Sequence, residues 1–345
     1  MANIFARSPY LITIAELGQQ GSKVELFFSG TTTFSNVPNY SLTKLALTPT
    51  NVTNIYDISE YCREYLFFNI NNDIATLTQA PIYQYFNLKI KTYKLVNNVY
   101  TLLTDTNNLI FDGYGYFENN ANFDLGNFHL DAGNYYYDST KYAGKIKVVG
   151  TGLRLKYYNI VTNNLSLTTA ATTQSVSEFP RLVSALQSIG AKVEIINSAS
   201  QVQKTYYFYV NDDCKYESVV IDFVNKYGAW QREFFFKASN DTFSVENTEY
   251  NLMASITSNA YNLLEGQRKV FNANGKQSIK VNTGWVDEDW NNTLKQIMLS
   301  ERILINSKPA KINTKSTELF KHINTKQINY SLEFEFAYDT INSII

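Results

Sequence analysis

Ile328-Asn329-Tyr330-Ser331-Leu332-Glu333-Phe334-Glu335-Phe336 has an apolar side chain at every even position and a polar one at every odd position. Successive side chains of a strand point to opposite faces, so this run predicts a β-strand with one face on a core and the other in water. The same period of two recurs in Lys23-Val24-Glu25-Leu26-Phe27-Phe28, which ends at the turn Ser29-Gly30-Thr31. It recurs again in residues 83–91, opposed by Val99-Tyr100-Thr101-Leu102 across Asn97-Asn98, a hairpin signal. Lys145-Ile146-Lys147-Val148-Val149 and Leu153-Arg154-Leu155-Lys156-Tyr157 alternate around Gly150-Thr151-Gly152 and predict a further hairpin. Residues 205–210 and 218–224 are short continuous apolar runs, predicted as strands buried on both faces, with a turn at Asn211-Asp212-Asp213.

Helical signals are few. Asp57 with Glu60 matches a capping box, and Ile58, Tyr61, Tyr65 and Leu66 fall at helical spacing, predicting a helix over residues 58–66. Pro180 and Gly190 bracket a predicted short helix. Val286, Trp290, Leu294, Ile297 and Met298 share a helical face, while Asp287, Glu288 and Asp289 sit where the helix dipole favours negative charge. That predicts a helix near residues 286–299.

The composition agrees with a strand-rich chain. Of 345 residues, 15% are aromatic, including 26 Tyr and 22 Phe, and such side chains suit a pleated, half-buried surface. The length exceeds what one core usually supports. The expected fold is mainly β, with two β-sandwich-like domains and a few short helices. The polar, Thr-rich stretch at residues 162–177 suggests a division into residues 1–165 and a β-rich domain at residues 166–345. No fixed-period repeat is found between the two halves.

Charged residues make up 18% and the net charge is −1, which gives no electrostatic basis for sequence-specific nucleic-acid binding or for an anionic membrane. No stretch approaches the roughly 18 apolar residues of a membrane span, and no secretory signal pattern is evident. The sequons Asn51-Val52-Thr53 and Asn240-Asp241-Thr242 matter only on a secretory route. Cys62 and Cys214, the only cysteines, predict two buried thiols rather than a disulfide framework.

Signals for chemistry are sparse. His129 and His322 are the only histidines and neither has a triad-like or metal-ligand spacing. No nucleophile elbow, P-loop or dinucleotide fingerprint occurs, and Asp112-Gly113-Tyr114-Gly115 neither follows a clear strand nor opens a helix. The acidic trio at 287–289 is explained by its helix start, and Asn211-Asp212-Asp213 lacks the later Glu of a calcium loop. A pair of carboxylates for glycoside hydrolysis is invisible without the fold. The expectation is therefore no enzyme, no catalytic, metal or cofactor-binding residues, and no cofactor. Tyr114, Tyr116, Tyr135, Tyr136 and Tyr137 are candidates either for an exposed contact surface or for packing beneath their own loops. Tyr227, Trp230 and Trp285 are expected to anchor packing.

Four passages carry a resemblance: Phe5-Ala6-Arg7-Ser8-Pro9-Tyr10, residues 56–66, residues 222–236 around Trp230, and residues 326–338. Together they resemble virion structural proteins of tailed bacteriophages that infect Bacteroidetes, of the crAss-like or flavobacterial type. The resemblance implies a tail, connector-ring or baseplate subunit, assembled in the host bacterial cytoplasm into the virion and partnered by its own copies and other virion proteins. It transfers no catalytic residue. The alternative is a receptor- or carbohydrate-binding β module of the virion that contacts a host-surface glycan, with Asp112 to Asn120 as its aromatic platform.

Overall fold

The structure, a computed structural model, describes residues 2–46, 52–69, 85–122, 134–211, 215–251, 256–257, 260–261, 264, 266, 268–319 and 328–341. It is mainly β, built from several sheets with sparse helix.

The first sheet has five strands in the order Asn3–Phe5, Val99–Phe111, Phe86–Val96, Gly21–Ser29, Tyr40–Leu45. The hairpin at its centre turns at Asn97 and Asn98, whose φ of 50° and 61° are those of a primed turn matching the twist of the strands. Helix Ser59–Asn69 lies against this sheet, with Cys62 and Leu66 packed against Val24, Leu26 and Ile90, and Tyr65 stacked on Phe28 at 4.5 Å. At its start the Asp57 carboxylate accepts from the Ser59 backbone N–H at 3.0 Å, satisfying one of the donors that a helix N-terminus leaves orphaned. Cys62 is a buried free thiol. Burial pushes it far up, so it stays protonated and packs as a small hydrophobe.

The second sheet runs Leu165–Thr168, Arg154–Asn159, Ala191–Ile196, Val202–Val210, Asn134–Tyr137. The pair Lys145–Val149 and Val176–Pro180 packs its Ile146 and Val148 into the same core as Leu155, Val193, Ile195, Tyr206 and Phe208. The third sheet has the order Trp230–Phe235, Val219–Val224, Ile303–Ile305, Lys308–Ile312, Ser331–Phe336, Arg268–Asn282, Asn240–Asn251, with Thr340–Ile341 pairing to Arg268–Asn282. Helix Trp290–Leu299 covers one face.

The strand Val219–Val224 owes its composition to where it sits. Every residue of Val219–Val224 is buried. Ile221 and Phe223, with Phe235 beside them, enter the core under the helix, while Val220 and Phe234 enter the core of the second sheet. A strand pair between two cores needs apolar side chains on both faces, which is why alternation is lost there. Residues 328–336 behave as their period predicts: Tyr330, Leu332 and Phe334 are buried, Ser331 and Glu333 exposed, and Ser331–Phe336 lies within the third sheet.

Strand pairing crosses the expected division between residues 1–165 and 166–345: Leu165–Thr168 pairs back onto Arg154–Asn159 and Lys145–Val149 pairs with Val176–Pro180. Of residues 162–177, read as a linker, Leu165–Thr168 and the start of Val176–Pro180 are strand and the rest is irregular. Three expectations are corrected. Lys145–Val149 and Arg154–Asn159 do not form a hairpin; each pairs elsewhere, and Gly150 and Gly152 donate instead to the carbonyls of Ser175 and Thr172 at 2.7 and 2.8 Å. Both glycines have positive φ, 120° and 77°, so the link turns the chain from one sheet into the other. Between Pro180 and Gly190 the helical content is a single 3-10 turn, Ser184–Leu186. Pro180 ends a strand there, and the Arg181 N–H is spent on the Gly144 carbonyl. The late helix begins at Trp290 rather than Val286, because Val286 pairs with Ile328 as an isolated bridge.

Candidate assembly surface

Three regions stand out chemically: a buried polar centre, an open groove and a protruding arm.

The polar centre joins the second and third sheets. Asp222 and Arg232 are register partners on adjacent strands. Arg232 Nε and Nη2 donate to Asp222 Oδ1 and Oδ2, both at 2.7 Å, and both side chains are 1% exposed. A third guanidinium nitrogen donates to the Tyr142 carbonyl at 3.2 Å. Arg181 Nη1 donates to the carbonyls of Arg232 (2.7 Å) and Ala143 (3.2 Å), and its guanidinium lies 4.7 Å from the ring centre of Tyr135. All these partners belong to the fold itself, and the arrangement clamps residues 142–144 and 181 onto the strand pair.

Glu233 is buried next to this clamp, accepting from Gln231 Nε2 at 2.7 Å and from the Trp290 side chain. Burial pushes its carboxyl up to about 7, against the pull of Arg181. Between the ordinary 4.5 and about 7 the folded chain holds a proton that the unfolded chain has released. Its contribution therefore makes stability fall as pH rises through that window, by about 3 kcal/mol in all at 1.36 kcal/mol per pKa unit. Urea unfolding at pH 5 and pH 8 is expected to show a smaller loss between the two for Glu233→Gln than for the unchanged chain. Equal losses would remove Glu233 as the source.

The groove is about 680 Å³ in volume and is lined by Trp230, Arg302, Ile303, Lys308, Pro309 and Tyr338 among others. Trp230 is half-buried at its edge and Tyr338 is well exposed.

The arm is the hairpin of Asn240–Asn251 and Arg268–Asn282, paired over its whole length from Asn240↔Lys280 to Asn251↔Arg268. Every residue of Asn240–Asn251 is exposed, so neither face of that strand is covered. Phe243 and Phe271 are 58% and 60% exposed, and Val245, Tyr250 and Val270 are also in water. Gly275 leaves room for the Phe243 ring, whose nearest atom lies 2.2 Å from where a Cβ would stand. Tyr250 meets Phe271 edge-on at 6.3 Å. Exposed apolar groups gathered on one projection mark an interaction site.

Of the residues singled out from sequence, Trp230 lines the groove and the others fall elsewhere. Tyr135 and Tyr137 are core, and Tyr136 is half-buried with its hydroxyl donating to Asp287 at 3.3 Å. The loop after Asp112 is bolted down: Arg7 Nε and Nη2 donate to the Asp112 carboxylate at 2.8 and 2.9 Å, and the Tyr114 N–H donates to the Lys226 carbonyl at 2.7 Å. Gly228, at φ 76°, packs on the Asp112 backbone so closely that a Cβ would stand 2.6 Å from it. Tyr114 is half-buried, and the side chain of Tyr116 lies outside the described residues. Tyr227 is half-buried, whereas Trp285 is 54% exposed and is not a core anchor; Trp290 takes that role. Asp287 and Glu288 offer their backbone carbonyls to the first turn of the helix. Asp212, Asp213, Cys214, His129 and His322 lie outside the described residues. Among the described residues, no three His, Cys, Asp or Glu side chains are grouped to hold a metal ion, and no helix is long and apolar enough to cross a membrane.

The arm was missed from sequence because residues 240–251 mix Asn, Thr and acids with few apolar positions. The signal that could have found it is a Pro-free, Thr-, Val- and aromatic-bearing run of strand length, answered by a second at 268–282. Neither the protein-family profiles nor the curated proteins contain a match to this chain.

Proposed function

We propose that this chain is a structural subunit of a bacteriophage virion, in a tail, connector ring or baseplate, acting by assembly with its own copies and with other virion proteins rather than by catalysis. The arm carries the reading: it holds Phe243, Val245, Tyr250, Val270 and Phe271 in water, an arrangement with little use in a solitary domain. The resemblance of residues 5–10, 56–66, 222–236 and 326–338 to such phage proteins supports the same reading. Assembly in the host cytoplasm suits a buried thiol at Cys62.

Light scattering over a concentration series, with negative-stain imaging, tests it. Rings or tubes of fixed stoichiometry are expected; a strict monomer at every concentration overturns the proposal. The groove beside Trp230 and Tyr338 favours a second reading, a host-glycan site on the virion, because aromatic faces next to polar groups suit sugar rings. Glycan-array binding that is lost in Trp230→Ala would establish it.

A further inference from the structure

The two strands of the arm divide their charge completely. Asn240–Asn251 carries Asp241, Glu246 and Glu249 and no Lys or Arg, whereas Arg268–Asn282 carries Arg268, Lys269, Lys276 and Lys280 and no Asp or Glu. Within the arm Glu246 and Lys276 pair at 2.9 Å. Among the described residues Asp241, Glu249, Arg268 and Lys269 have no ion pair.

Both strands also leave backbone unpaired. Among the described residues Asn240–Asn251 ends the sheet order, and its outer edge has no strand beside it. Arg268–Asn282 meets Thr340–Ile341 and Ser331–Phe336 only from Asn274 onward, which leaves residues 268–273 open on their outer side among the described residues. Natural edge strands are usually blunted by Lys or Pro. Asn240–Asn251 has neither, only an irregularity between Thr248 and Glu249.

We infer that the outer edge of Asn240–Asn251 around Glu249, level with residues 268–273 in the arm's own register, pairs in one copy with the basic edge at residues 268–273 of a second copy, joining arms into one continuous antiparallel sheet. This rests on the assembly reading above and names the surface that would perform it. When arms related by rotation point the same way, the acidic strand of one runs antiparallel to the basic strand of the next, so the ladder within each arm continues between arms. Charge also selects against the two-fold alternative. Two copies of Asn240–Asn251 side by side would set Asp241, Glu246 and Glu249 against one another, and like charges on neighbouring strands repel. The contact is therefore heterologous, and heterologous contacts close into rings or extend as tubes rather than stopping at dimers.

The test uses the full chain in three forms: Glu249→Lys, Arg268→Glu with Lys269→Glu, and all three changes together. All sites are exposed, and unchanged thermal unfolding confirms the fold. By light scattering, the acidic-edge variant and the basic-edge variant are each expected to need at least tenfold more protein than the unchanged chain to assemble. The combined variant, with its charges exchanged, recovers assembly. An equimolar mixture of the acidic-edge and basic-edge variants co-assembles, since each supplies the edge that the other lacks. Edge variants that assemble like the unchanged chain, or a mixture that stays dispersed, would overturn the arm contact and leave the assembly reading standing. An unchanged chain that is itself monomeric overturns both.

Discussion

Replacing Arg232 with Met is expected to cost about 3–5 kcal/mol in urea unfolding, because Asp222 is left as a buried charge without its partner. Both side chains are 1% exposed and share two hydrogen bonds of 2.7 Å, so water cannot take over when one is removed. The clamp on the Tyr142 carbonyl goes with it. A hydrophobic exchange of the whole pair, Asp222→Leu with Arg232→Met, is expected to recover most of the loss, because no charge then needs solvation in the interior. A double variant as unstable as the single would mean that the pair is needed for its hydrogen bonds to the surrounding loops.

Trp290→Ala is expected to cost about 3–5 kcal/mol, the range for removing a large aromatic from a packed core. Its ring meets Phe235 edge-on and Tyr330 nearly parallel, each at 5.9 Å between centroids, and its side chain donates to Glu233. The truncation opens a cavity beneath the helix and strips Glu233 of a donor at once. Trp285→Ala, five residues earlier at a largely exposed site, is expected to change stability by no more than about 0.5 kcal/mol. Similar costs at the two positions would show that exposure is a poor guide to this chain's energetics.

The contrast between the two tryptophans shows what a sequence can carry. Trp290 was legible because it shares a helical face with Leu294 and Ile297, and both of those are fully buried. Trp285 had only its size to recommend it. Residues 328–336 and the hairpin turning at Asn97 and Asn98 were legible because period and turn chemistry are local properties. Lys145–Val149 and Arg154–Asn159 also have the period of strands, but which strand each one pairs with is a tertiary choice, and the two glycines between them serve a corner as readily as a hairpin. The polar centre was invisible for the same reason. Asp222 and Arg232 read as the polar interruptions of two apolar runs, and only the register places them face to face. The arm illustrates the converse: its strands lack a buried face, so they lack the alternation that marks buried strands.

The position of Ser331–Phe336 has a consequence for synthesis. That strand lies between Lys308–Ile312 and Arg268–Asn282, so without it the third sheet is two separate pieces. A ribosome adding about 5–20 residues per second takes roughly 2–10 s to cross the interval from Asn282 to Ser331. Throughout that time the inner edge of Arg268–Asn282 has no partner, and Ile279 and Val281 face solvent instead of Phe334 and Leu332. The rate of elongation over residues 283–330 thus sets how long each nascent chain displays an open, half-apolar edge beside others on the same message.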